Sequence, residues 1–193
     1  MKASIIGASG YAGEELIRLL HGHPQVEIAY MTSERHTGKS ISSLYPHLMN
    51  IYDSELESME NIRHIAEDSD VIFIALPHGH AMKIAQTVSD LPVRIIDLGA
   101  DYRFTDTAIY EEWYHVKHTD PNADRAYGLA ELYRAQVKQA RIIGNAGCYT
   151  TASILALAPL VKTHLVRVDS ILVDAVSGVS GAGRSPKEST HYP

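Results

Sequence analysis

Ala3-Ser-Ile-Ile-Gly7-Ala-Ser-Gly10-Tyr-Ala-Gly13, near the start of the chain, is the stretch that decides the fold. Ala3–Ile6 reads as a short apolar strand. It runs into three glycines spaced G-x-x-G-x-x-G, and these open a helical run, Ala12–Leu20, with Leu16, Leu19 and Leu20 on one face. Glycine spacing acquires meaning in that strand-to-helix context. Glycine permits the tight turn, lets the backbone approach a pyrophosphate and presents a helix N-terminus to its charge. The spacing differs from the commonest G-x-G-x-x-G, and glycine triplets by themselves are often only turns. The position makes Gly7, Ser9, Gly10, Tyr11, Ala12 and Gly13 candidates for a dinucleotide site.

Downstream, apolar β-like runs alternate with amphipathic ones. Val26–Met31 reads as a second strand, and Val71–Leu76 is apolar throughout, as a strand buried on both faces should be. His80–Val88 reads as a helix, Arg94–Leu98 as a strand and Leu129–Gln139 as a helix, followed by a strand over Arg141–Asn145. The alternation predicts an α/β fold, a Rossmann-like, doubly wound parallel sheet with crossover helices. Thr150–Val161 then reads as a helix and Asp169–Val176 as a further strand, leading into Ser177-Gly-Val-Ser-Gly-Ala-Gly-Arg184. The expected division is a dinucleotide-binding domain over 1–147 and the beginning of an α+β catalytic and dimerisation domain over 148–193. The last strand stops before anything to cover it, so the chain is expected to be a piece of a longer protein.

The 193 residues are 45% hydrophobic and 21% charged, as in an ordinary globular protein. A formal net charge of −6 leaves no nucleic-acid footprint. No apolar run approaches the ~20 residues of a membrane span, and the N-terminus has no signal-peptide pattern. One cysteine excludes an internal disulfide framework and fits a reducing compartment. A cytoplasmic location is the expectation. His21 with His23, and His78 with His80, stand two apart with no cysteine nearby and read as surface or loop residues, so no metal site is expected.

That cysteine, Cys148, lies in Gly144-Asn-Ala-Gly-Cys-Tyr149, between a strand and a helix. A lone cysteine is often a small buried hydrophobe. Here the setting argues otherwise, because a helix N-terminus favours a thiolate and the glycines leave room for a substrate. The second strand leads into Thr32-Ser-Glu-Arg-His-Thr-Gly-Lys39, where such folds read the adenosine ribose. Ser33, Arg35 and Lys39 together suit the 2′-phosphate of NADP(H). Glu34, an acid in the same place, suits NAD, and a solvated loop is the plain alternative.

Further blocks extend the pattern: Ser33-Glu-Arg-x-x-Gly-Lys39, Ala75-Leu-Pro-His-Gly79, Asp97-Leu-Gly-Ala-Asp-Tyr-Arg-Phe104, Tyr127-Gly-Leu-Ala-Glu131 and the segment 177–184. With Gly7–Gly13 and Gly144–Tyr149 they resemble, in order and over essentially the whole chain, the N-acetyl-gamma-glutamyl-phosphate reductases of arginine biosynthesis. These belong to the same superfamily as aspartate-semialdehyde dehydrogenase. The resemblance implies that Cys148 attacks the acyl phosphate of N-acetylglutamyl phosphate, expels phosphate and forms a thioester. NADPH then reduces this to N-acetylglutamate semialdehyde, and a histidine serves as general acid–base. Ala146 and Thr150 stand where the family usually has proline, and Gly99 where it commonly has serine. No histidine in this chain matches the family's catalytic motif, so the chain alone is expected to lack turnover. The family is generally oligomeric, and a homo-oligomer is expected at full length.

Other assignments are open to two readings. Leu76, Pro77 and His78 either line the nicotinamide side or simply pack the loop. Asn145 either orients the elbow or satisfies turn backbone. Arg103 either meets a substrate carboxylate or phosphate or forms a structural ion pair. Ser180 and Gly181, with Gly183, form a second loop placed to touch cofactor. The rival readings of the whole are an aspartate-semialdehyde dehydrogenase-like enzyme, a non-catalytic NADP-binding sensor, and a cysteine hydrolase, for which a dinucleotide loop has no use.

Overall fold

Strand and helix runs assemble around one parallel sheet in the computed structural model, which describes residues 1–185. The elements are β1 (Lys2–Ile6), α1 (Tyr11–His21), β2 (Glu27–Thr32), α2 (Ile41–Leu44), α3 (Ile62–Glu67), β3 (Val71–Ile74) and α4 (Ala81–Thr87). They continue with β4 (Arg94–Asp97), α5 (Thr107–Tyr114), β5 (Arg125–Gly128), α6 (Ala130–Gln139), β6 (Ile142–Asn145) and α7 (Cys148–Lys162). The strand order is β2-β1-β3-β4-β6-β5, and every pairing is parallel. The chain moves to one side of β1 to form β2, then returns to lay β3 on the other side. Ligands bind at the carboxyl ends of the strands beside such a reversal.

Both faces of the sheet are covered. Ile5 and Ile6 are consecutive and wholly buried, and they enter different clusters because side chains alternate along a strand. Ile5 packs with Ile17, Met31, Ile41 and Leu56. Ile6 packs with Ile65, Ile72, Ile74, Ala85 and Ile95. This two-sided burial explains why β3 is a continuous apolar run.

The register aligns Thr32, Ile6, Ile74, Asp97, Gly144 and Tyr127 in one row across the sheet. The chain segments following that row form the functional edge.

Three sequence expectations change. Val71–Leu76 ends as a strand at Ile74, since the chain turns towards Pro77, which has no N–H to offer a ladder. The helix expected from Thr150 begins at Cys148 itself. The strand expected over Asp169–Val176 does not form. A 3₁₀ turn occupies Val168–Ser170, the rest has no regular structure, and Leu172 and Val176 are 96% and 93% exposed. Among the described residues no strand lies beside that run, and a strand without a partner has nothing to satisfy its backbone. Part of the segment assigned to a second domain, residues 186–193, lies outside the described residues.

Candidate active site

Gly7 starts the glycine loop with φ +89°, a left-handed conformation that favours glycine. A Cβ there would lie 2.6 Å from the Ala75 carbonyl and 2.8 Å from Leu76 Cδ2, so the loop presses on the turn that follows β3. A Cβ on Gly13 would lie 2.6 Å from Ala8 Cα, and this close approach lets α1 start directly under the loop. Gly10 has room, its nearest neighbour being the Gly7 carbonyl at 3.7 Å. The end of β2 holds the loop from the other side, with Ala8 N–H donating to the Thr32 carbonyl at 2.9 Å and Gly7 N–H to Thr32 Oγ1 at 3.2 Å. No side chain caps α1, whose N-cap is Gly10. Its first N–H groups therefore face outward without an intrahelical acceptor. Tyr11 and Ala12 are exposed there.

Cys148 is exposed and is the first residue of α7, behind Gly147, whose position as N-cap also lacks a side-chain bond. In this chain the thiol is therefore not a buried core residue. Arg103 braces the elbow. Its Nε donates to the Asn145 carbonyl at 2.7 Å, its Nη2 to the Leu98 carbonyl at 3.2 Å, and its Nη1 lies 3.5 Å from the Tyr114 hydroxyl. A Cβ on Gly147 would sit 3.2 Å from Nη1, so a permanent positive charge lies beside the residue preceding the thiol. Arg103 forms no ion pair among the described residues. Asn145 donates from Nδ2 to the Ala146 carbonyl at 3.2 Å, which satisfies local backbone. Thr150 donates to the Gly147 carbonyl at 2.9 Å, and Tyr127 donates to Thr150 at 3.4 Å. These bonds restrain the elbow by means other than proline.

The segment after β4 ties the two halves of the edge together. Buried Asp101 accepts from Gly79 N–H at 2.6 Å, from Ala81 N–H at 2.9 Å and from the Tyr110 hydroxyl at 2.8 Å. It thus caps α4 and fixes the turn carrying Leu76, Pro77 and His78. Two residues on, Arg103 holds the cysteine elbow. His78 lies over Tyr114 with ring centroids 5.1 Å apart, so a continuous path of His78, Tyr114 and Arg103 runs from one turn to the other. Tyr114 was missed in the sequence. Its only signal was the four-residue spacing from Tyr110 on a short helix capped by Asp106, whose carboxylate accepts from Ala108 N–H at 2.9 Å.

The family model for the NAD-binding domain of semialdehyde dehydrogenases covers residues 2–140. This chain belongs to the semialdehyde dehydrogenase family. The model for the family's dimerisation domain covers residues 148–193. N-acetyl-gamma-glutamyl-phosphate reductases from Desulforamulus reducens and Geobacter sulfurreducens are each 48% identical over the whole chain. The chain spans 56% of the length of either. Among solved structures, aspartate semialdehyde dehydrogenase II of Vibrio cholerae gives a TM-score of 0.62 at 19% identity, covering 83% of this chain and 46% of that one. The Candida albicans aspartate semialdehyde dehydrogenase, solved with NADP, gives 0.60 at 20% identity over the same shares. At that identity the likeness shows the fold: a six-stranded parallel sheet of the semialdehyde dehydrogenase type.

In this family member the loop after β2 is propped by a segment with no sequence signal. Ser33 N–H donates to the Glu57 carbonyl at 3.1 Å, Gly38 N–H to the Leu56 carbonyl at 2.8 Å, and Leu56 N–H to the Lys39 carbonyl at 2.9 Å. Ser33 is buried, and its hydroxyl pairs with that of Ser9 at 2.8 Å, which couples this loop to the glycine loop. Arg35, Lys39 and Glu34 are all exposed. Ser180 and Gly181 lie in an exposed 3₁₀ turn, Val179–Ala182. Their segment meets the glycine loop through Arg184, whose Nη1 donates to the Ser9 carbonyl at 3.0 Å. Among the described residues no helix is long and apolar enough to cross a membrane, and no group of three or more His, Cys, Asp or Glu side chains is placed to hold a metal ion.

Asp97, in the row beneath the site, is fully buried, and its Oδ2 has no partner while Oδ1 accepts from Gly99 N–H at 2.8 Å. Burial, reinforced by the Asp101 carboxylate, pushes Asp97 from the ordinary 3.8 up to about 7. The folded protein therefore holds a proton that the unfolded chain releases above the ordinary value. Stability falls as pH rises from about 4 to about 7, by up to about 4 kcal/mol, and levels off above that. Urea midpoints between pH 4.5 and 8 should show this slope, and Asp97→Asn should flatten it. A slope unchanged by the substitution would assign the titration to another group. The Arg63–Asp90 pair, which holds Asp90 down to about 2, acts below this window.

Proposed function

We propose that the protein carrying this chain reduces N-acetylglutamyl 5-phosphate to N-acetylglutamate 5-semialdehyde with NADPH, through a thioester on Cys148. One observation carries the reading. An exposed cysteine opens an uncapped helix at the same sheet edge as a glycine loop, in a chain 45–48% identical to N-acetyl-gamma-glutamyl-phosphate reductases. Residues 1–147 are the dinucleotide-binding part, and 148–193 begin the catalytic and dimerisation part of a homo-oligomer.

The glycine loop fits a dinucleotide. Gly7 and Gly13 let the loop close tightly against the Ala75–Leu76 turn and the start of α1, where a Cβ would collide with Ala75 and Ala8. The N–H groups of Tyr11, Ala12 and Gly13 offer donors to a diphosphate. Leu76 and Pro77 border the nicotinamide end. Ser33, Arg35 and Lys39 favour a 2′-phosphate over the single acid Glu34. When bound, NADPH supplies hydride to an acyl carbon.

This chain's residues do the remainder. The Cys148 sulfur attacks the acyl carbon, the C–O bond to phosphate breaks, and inorganic phosphate leaves with that electron pair. Backbone N–H groups of the first turn of α7 stabilise the oxyanion formed in the attack. Arg103, with donors left over from its two carbonyl bonds, attracts the phosphate of the substrate. After reduction the carbon–sulfur bond breaks, and the thiolate returns as the aldehyde is released. A location in the cytoplasm fits a free thiol of this kind.

The test is the reverse reaction: phosphate-dependent reduction of NADP⁺ by N-acetylglutamate semialdehyde, with aspartate semialdehyde as competitor substrate. Turnover with the first and little with the second is expected. A preference for aspartate semialdehyde would overturn the substrate assignment, and nucleotide binding with neither activity would favour a sensor.

A further inference from the structure

We propose that Arg184 is a ligand for the diphosphate of the bound dinucleotide, delivered to the glycine loop from 175 residues away. The inference rests on the dinucleotide reading of that loop.

Two side chains converge on one carbonyl of the loop. Arg184 Nη1 donates to Ser9 O at 3.0 Å, and the Tyr45 hydroxyl donates to the same oxygen at 2.9 Å. The Arg184 guanidinium also lies over the Tyr45 ring, 5.0 Å from its centroid. Tyr45 is only 9% exposed and packs in the cluster that contains Ile17 and Met31, so the ring is a fixed platform. A cation held over an aromatic face keeps its orientation while its edge remains available to solvent.

The unused donors decide what the group is for. A guanidinium has five N–H donors in a planar fork. Here one of them is spent on Ser9, and among the described residues no carboxylate lies within ion-pair distance of Arg184. Glu14, the acid in the first turn of α1, is engaged by His47 at 2.9 Å. The fork therefore stands beside an uncapped helix start with donors to spare, an arrangement that suits two oxygens of a phosphate.

The anchor point selects which phosphate. Ser9 immediately precedes Gly10, the N-cap of α1, where this kind of loop receives a diphosphate. Among the described residues the ribose-side loop at 33–39 is hydrogen-bonded to Ser9 through the Ser33 hydroxyl. Arg184 thus closes the 177–185 segment over the diphosphate, and binding of either nicotinamide dinucleotide fixes that segment against the loop.

The test is calorimetric titration of the protein carrying this chain with NADPH and with NADH, comparing the wild type with Arg184→Gln and Arg184→Lys. Arg184→Gln should weaken both dinucleotides by a similar factor, about tenfold at low salt, with Arg184→Lys between the two. The gap between wild type and Arg184→Gln should narrow at high salt, as screening predicts. Arg184 is exposed, so the urea midpoint of the variants should match the wild type. Equal affinities of wild type and Arg184→Gln would overturn the proposal. So would a loss confined to NADPH, which would put Arg184 on the 2′-phosphate. Failure of the wild type to bind either dinucleotide would overturn the dinucleotide reading itself, and the proposal with it.

Discussion

Cys148→Ser should abolish reductase turnover in protein competent for it, by about a thousandfold or more, while NADPH binding stays within a factor of about two. The reason is chemical. A hydroxyl at the start of α7 keeps the shape of the elbow and its donors, but it is a far weaker nucleophile, and an ester cannot replace the thioester as a hydride acceptor. The fold should not notice the change, because Cys148 is exposed. Binding should not notice it either, since the glycine loop and α1 belong to a different part of the sheet edge from β6 and α7. The assay is phosphate-dependent NADP⁺ reduction alongside a calorimetric NADPH titration. Substantial turnover in the serine variant would sink the thioester mechanism, and lost NADPH binding would mean that the two sites are one.

The second large effect lies in the backbone. Gly144→Ala should destabilise the protein by about 3 kcal/mol or more, the upper part of the overpacking range. Gly144 is the last but one residue of β6 and is buried. A Cβ there would overlap the Tyr102 carbonyl and come within 2.8 Å of Arg103 N. Both partners are backbone, and the segment carrying them cannot step aside. Asp101 holds it to α4, Tyr102 donates to Asp120 at 2.8 Å, and Arg103 holds it to the Asn145 carbonyl. Gly22→Ala is the matched control, because Gly22 has φ −87° and nothing within 4 Å of a Cβ. It should change stability by less than about 0.5 kcal/mol. Equal urea midpoints for the two variants would show that the segment yields, and that the elbow is not braced as described.

These two expectations differ in how much of each was legible in the sequence. The fold class was legible because its signals are local. A strand buried on both faces must be apolar at every position, as Val71–Ile74 is, and a glycine loop between strand and helix has few other uses. Cys148 was legible for the same reason, since a strand, two glycines and a helical run bracket it within eight residues. The strand at Arg125–Gly128 was not. It is an edge strand ending in glycine, and only its parallel pairing with β6, from Arg125 beside Ile142 to Gly128 beside Asn145, makes it a strand. Asp169–Val176 erred the other way: its residues favour a strand, but pairing decides whether one forms, and none is offered among the described residues.

The sequence by itself thus determined the parallel α/β architecture, the glycine loop and the candidate nucleophile, because each follows from contacts within a few residues. Only the tertiary structure decided what those parts are fastened to. Asp101 reaches back to Gly79 and Arg103 forward to Asn145, across 22 and 42 residues. Arg184 meets Ser9 across 175. Such pairings leave no periodicity to read, since chain closure over those distances is paid for by the whole packed sheet and not by any local preference.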